Sequence, residues 1–134
     1  ANGEAFCWGE GSRNELGNGV PSDQPSPVKV SGGHTWSSVA AGRFHSCGID
    51  TSGKLYCWGQ AGRIGLGPLG ASTPALVLEE NDWVTVDSHG THTCAITTDL
   101  RTFCLGDNDW GQLGIRNTRE FDVPRFVFRR VIRP

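Results

Sequence analysis

The 134 residues carry 12 Lys and Arg against 14 Asp and Glu, a formal charge of −2, with 37% apolar side chains and 19 glycines. That length holds one domain with a core, and the near-neutral balance argues against a general polyanion binder. No run approaches the roughly 18 apolar residues of a membrane span. The charge is uneven: Arg116, Arg119, Arg125, Arg129, Arg130 and Arg133 face only Glu120 and Asp122 over the last 19 residues, a basic stretch suited to an acidic partner surface or to a solvated strand flank. No basic, apolar leader opens the sequence, so localisation has to be inferred from other features.

In chain order, the first β-like run is "FCWG" at 6–9, followed by Leu16 and, from Pro27, by "PVKV". Trp36 opens "WSSVAAG", His45 opens "HSCGI", and "DTSGK" leads into "YCWG" at 56–59. Leu66 and "PALV" from Pro74 complete this unit. The order then repeats: Trp83 opens "WVTVDSH", His92 precedes Cys94, "FCLG" stands at 103–106, and Leu113 precedes "PRFV" from Pro124. His45 to His92, Cys47 to Cys94 and Cys57 to Cys104 all keep a 47-residue step. Only the Leu-to-Pro interval changes length, which places a loop there.

A full unit offers four short runs of β character, Trp36–Ala40, His45–Ile49, Lys54–Trp58 and Pro74–Leu78, separated by Gly, Ser, Asn and Asp clusters. Nothing shows a helical period over 11 or more residues. Four strands per repeat of roughly 40–50 residues is the pattern of a propeller blade. The expected fold is all-β: antiparallel four-stranded blades of a β-propeller, incomplete within this chain. Residues 1–31 read as the outer half of a blade, 32–80 as a full blade, and 81–134 as a full blade plus the start of the next.

"DTSGK" suits a hairpin with a type I turn and Gly53 in the left-handed conformation, forming a bulge. That register opposes Asp50 to Lys54, Ile49 to Leu55 and Cys47 to Cys57, close enough for a disulfide. Equal spacing makes Cys94 and Cys104 the second expected pair, although Leu100 stands where the turn glycine belongs. Two alternatives remain open for these cysteines: small reduced core residues, or a zinc site with His45, whose spacing is unusual. Bridges would imply an oxidising compartment, secreted, extracellular, periplasmic or lumenal. Cys7 is expected to be unpaired, because its partner ten residues back would precede Ala1. Gly3 matches Gly53, so the sequence is expected to start inside a hairpin. The repeat calls for a tryptophan at position 133, where Arg133 stands instead. The chain therefore reads as a segment completed by a longer polypeptide or by other chains, since open flanks and strand edges invite association.

The stretch "WSSVAAGRFHSCGIDTSGKLYCWG" at 36–59, together with "GDNDWGQLG" at 106–114, resembles the repeat of the regulator of chromosome condensation family. The resemblance covers essentially the whole chain. It implies a propeller, typically of seven blades, of which this chain supplies under three.

Function is sought in loops, because the catalytic search is short. His45 and His92 occupy equivalent positions, which favours a structural role such as a hydrogen bond to neighbouring backbone. His34 and His89 have no nucleophile to work with, and no hydrolase, zincin or phosphate-loop motif occurs. No enzyme activity, cofactor or metal is expected. Trp8 with Trp58, and Trp36 with Trp83, fall in repeat columns and are expected to pack between blades; the light-sensing motif of a plant photoreceptor of this fold is replaced here by "GRFHS". Protein–protein binding by propeller-face loops is the expected function, with Trp110, Arg13 and Arg63 as leading contacts. Asp107, Asp109, Arg129 and Arg130 complete the candidate set. The expected partners are proteins, including chains that complete the propeller or a large complex, with no direct nucleic-acid contact and no transmembrane segment. The resemblance also implies two intracellular alternatives with reduced cysteines: a guanine-nucleotide exchange and chromatin-binding propeller, or an accessory propeller of a large protein such as a ubiquitin ligase.

Overall fold

The computed structural model describes residues 2–79 and 82–114, together with the backbone of the strand Arg129–Arg130. Ten strands appear among these residues: β1 Phe6–Gly9, β2 Gln24–Lys29, β3 Trp36–Ala41, β4 His45–Asp50, β5 Leu55–Gly59, β6 Ala71–Leu76, β7 Trp83–His89, β8 His92–Thr97, β9 Thr102–Gly106 and β10 Arg129–Arg130. They form three antiparallel sheets, ordered β1-β2, β3-β4-β5-β6 and β10-β9-β8-β7. The four-stranded meanders are propeller blades, and β1 and β2 pair in the register of β5 and β6. Cys7 faces Val28 as Cys57 faces Ala75, and both pairs slip one residue later, before Gly9 and Gly59.

The central hairpins follow the turn chemistry. Cys47 opposes Cys57 and Ile49 opposes Leu55, and the Asp50 amide donates to the Lys54 carbonyl at 3.0 Å. Gly53 adopts φ +81°, and its amide closes the turn on the Asp50 carbonyl at 3.0 Å. The Asp50 side chain accepts from the Ser52 and Lys54 amides at 2.9 and 3.0 Å and from the Ser52 hydroxyl at 2.7 Å. Partial burial works to raise its pKa, but these donors outweigh it and hold the carboxyl below its ordinary value. The second hairpin keeps this geometry without glycine. Leu100 takes φ +63°, and the Thr97 and Arg101 backbones pair at 3.0 Å.

Two strands start earlier than the sequence pattern suggests. Pro27 and Pro74 lie inside β2 and β6 rather than opening them, because these strands lie at sheet edges, where a missing amide costs no ladder bond. Position 133, where the repeat calls for a tryptophan, and most of the basic stretch fall outside the described residues.

The blades are held together by a shared core. Cys47, Ile49, Leu55, Cys57, Ile64 and Val77 from the β3–β6 blade pack with Trp83, Val86, Ala95 and Leu105 from the next. Ala5, Val30, Trp36 and Trp58 form the corresponding layer between the β1–β2 sheet and its neighbour, with Cys7 packed against it. The sulfurs of Cys47 and Cys57 lie 2.14 Å apart and those of Cys94 and Cys104 2.09 Å apart, while Cys7 has no partner among the described residues.

Candidate protein-binding face

In an antiparallel meander the β3–β4 turn and the β5–β6 loop emerge at the same end. Here the Gln60 amide donates to the Phe44 carbonyl at 2.9 Å, and Asp107 to Thr91 at 3.1 Å one blade on. That end collects the loops after β1, β5 and β9, which hold most of the candidate contacts.

Arg13, Arg63 and Trp110 share a repeat position. Each stands five residues beyond Trp8, Trp58 and Leu105 respectively. Trp110, outside the tryptophan columns, therefore replaces an arginine. The two arginines reach toward the following blade. Arg13 bonds its own Glu10 at 3.0 Å, and its guanidinium lies 4.3 Å over the Phe44 ring. Arg43 covers the same ring at 4.8 Å. Arg63 pairs with Asp107 across the blade boundary, and both side chains are half-buried. Burial lowers the Arg63 pKa, and the charge of Asp109 works against that shift. Arg63 and Asp107 thus clasp adjacent blades.

Trp110 makes no such clasp and is 91% exposed. Its loop is nonetheless ordered by its own hydrogen bonds. Buried Asn108 accepts from the Leu113 amide at 3.1 Å, the Gly111 amide donates to the Asn108 carbonyl at 3.0 Å, and Gln112 accepts from the Trp110 amide at 2.9 Å. An indole held outward on a pinned loop beside exposed Asp109 offers a large contact area at low ordering cost. For Arg129 and Arg130 the backbone pairs with Cys104 and Phe103.

The histidine expectation changes in detail. Buried His45 directs Nε2 to the Thr93 hydroxyl of the next blade at 2.7 Å, and Thr93 contacts Ser88 at 2.7 Å. The partner is a side chain across the boundary rather than local backbone. Burial first, then the charges of Arg63 and His92, lowers the His45 pKa to about 4. With its Nε2 engaged and the two sulfurs at bonding distance from each other, His45 does not join Cys47 and Cys57 as a zinc ligand. His34, which has no catalytic partner in the sequence pattern, packs against Tyr56 and Trp36 with ring centroids 4.2 and 5.0 Å away.

Comparison with known proteins agrees with this architecture. The family model for the regulator of chromosome condensation (RCC1) repeat matches residues 2–49 and 52–96, and a second model of the same repeat matches 36–63. Among curated relatives, the human E3 ubiquitin-protein ligase HERC2 is 32% identical over 91% of this chain and 3% of its own length. The ultraviolet-B receptor UVR8 of Arabidopsis thaliana is 34% identical over 93% of this chain and 30% of its own. The chain thus spans a small part of these relatives. Human WBSCR16 superimposes with a TM-score of 0.84 at 23% identity, covering 100% of this chain and 36% of that one. Prp20p of Saccharomyces cerevisiae, whose binding to Gsp1p and histones is described with its structure, gives 0.79 at 22% identity over 99% of this chain and 33% of that one.

Proposed function

Since the chain belongs to the regulator of chromosome condensation (RCC1) repeat family, we propose that it is a non-enzymatic protein-binding module that works as part of a larger assembly. One observation carries this reading: the 91% exposed Trp110 on a loop pinned by Asn108 and Gln112. Asp109 and Arg13 flank or repeat that position and would supply polar contacts around the indole. Arg129 and Arg130 would add a basic border. In this reading residues 1–31, 32–80 and 81–134 are successive repeat units, and the rest of the ring comes from additional blades. The test is pull-down from the organism's own extract. Trp110→Ala should lower recovery of a specific partner about tenfold or more, while Val84→Ala, at an exposed strand position, should leave it unchanged. Equal recovery with Trp110→Ala would refute the loop-face reading.

The match to 91% of the chain within a much longer ubiquitin ligase favours a second reading, an accessory repeat segment of a large protein of that kind. The two readings differ in cysteine state. Bridges at Cys47–Cys57 and Cys94–Cys104 formed in an oxidising compartment would leave one free thiol, whereas an intracellular segment would carry five.

A further inference from the structure

Beside β1 runs a groove of about 430 Å³, lined by Phe6, Cys7, Trp8, Glu15, Val39 and Trp58 among others. Its shape follows from the repeat. In the next unit β5 is flanked by β6 on one edge and β4 on the other, whereas β1 has only β2 among the described residues. The groove occupies the place that β4 and β3 fill in the complete blade. It is continuous with the interface formed by Ala5, Val30, Trp36 and Trp58.

Two features say what fits there. Val86 on β7 is 6% exposed because it packs on the layer containing Cys47 and Ile49, while its counterpart Val39 on β3 is 53% exposed and has no such layer to meet. Glu15 lines the groove and is 7% exposed, yet its Oε1 has no hydrogen-bond partner among the described residues. A buried acceptor without a donor calls for one from the occupant.

We propose that this groove is a docking site for a β-hairpin patterned like β3–β4, whose second strand adds antiparallel to the free edge of β1. The register sets a cysteine of that strand opposite Cys7, as Cys47 stands opposite Cys57. An apolar residue two positions further along the strand covers Val39, as Ile49 helps to cover Val86. Backbone pairing to β1 supplies the affinity and the alternate side chains supply the selectivity. A sulfur bridge then closes by exchange with a disulfide: the Cys7 thiolate attacks the occupant's sulfur, the new S–S bond forms, and the former partner thiol leaves with the electron pair. The site is separate from the Trp110 loop, so either proposal can fail alone.

The probe is a synthetic peptide of sequence WSSVAAGRFHSCGID, copied from residues 36–50, with its cysteine carried as a mixed disulfide with a coloured aryl thiol. Mixed with the full chain, it should label Cys7 about a hundredfold faster than a shuffled peptide carrying the same activated cysteine, because docking raises the local concentration of the reacting sulfurs. Val39→Asp, at an exposed position and with folding checked by circular dichroism, should remove most of that advantage. With Cys7→Ser, reversible binding of a fluorescent, cysteine-free peptide should persist by anisotropy and be lost when Asp is added at position 39. Equal rates for the matched and shuffled peptides would overturn the proposal, as would fast labelling indifferent to Val39→Asp.

Discussion

Trp8 and Trp58 occupy the same place in the same four-residue motif, yet Trp8 is 62% exposed and Trp58 wholly buried. The difference lies outside their own strands. The Trp58 indole lies against Gly17 and donates its N–H to the Glu15 carbonyl at 2.9 Å, both in the loop of the preceding repeat unit. Trp8 meets no such loop. Val86 and Val39 differ in the same way across the blade faces. Burial in this fold is supplied by the neighbouring blade, so a repeat position defines a demand that only the next sheet can meet. This is the linear-array logic of repeat proteins, in which interfaces between units carry much of the stability.

Substitutions at these paired positions can break or sharpen the comparison. The largest effect is expected at Trp58, where truncation to Ala should cost about 3–5 kcal/mol in chemical denaturation. Trp8→Ala should change stability by less than about 1 kcal/mol. Similar losses at both positions would mean that Trp8 is covered. Gly17→Ala tests the same contact from the other side. A Cβ there would stand 2.6 Å from Trp58 Nε1, at a backbone φ of +67°, so a loss of about 2 kcal/mol is expected.

His45 gives the next effect, and its sign is fixed. Its folded pKa, about 4, lies below the ordinary 6.5, so the unfolded chain binds the extra proton between those values. The contribution is full above about pH 6.5 and falls away as pH drops toward 4, by up to about 3 kcal/mol. His45→Gln should flatten that part of the stability–pH curve. An unchanged slope would show that other groups cause it.

The two hairpins supply the smallest effect. Gly53 and Leu100 hold the same left-handed turn position, which a side chain strains by about 1–2 kcal/mol. Leu100→Gly should therefore stabilise by about 1 kcal/mol, and Gly53→Leu should destabilise by a similar amount, read as shifts in the denaturation midpoint. No gain at Leu100→Gly would mean that the second turn has another conformation in solution.

How much could be read in advance followed the range of the interaction. The hairpin register was legible because the turn "DTSGK" and its flanking residues are covalent neighbours, and the strand count followed from the repeat. The loop end was partly legible. Trp110 could have been assigned to the column of Arg13 and Arg63 by counting five residues from each strand motif. The clasp of Arg63 on Asp107 was not visible, because charge and spacing do not say which blade an arginine reaches. Nor was the His45–Thr93 contact, 48 residues apart, or the exposure of Trp8, since a column records what a site favours and not whether its cover is present.

Cross-strand pairing of the cysteines, with Cys7 left without an opposing strand, underlies both the blade register and the groove. The most direct measurement is peptide mapping after blocking free thiols in the denatured, unreduced chain. The account predicts a single blocked cysteine, Cys7, and two linked peptide pairs, Cys47 with Cys57 and Cys94 with Cys104. Five blocked thiols would contradict the bridges, and a cross-link of Cys7 to any of the other four within one chain would contradict the register itself.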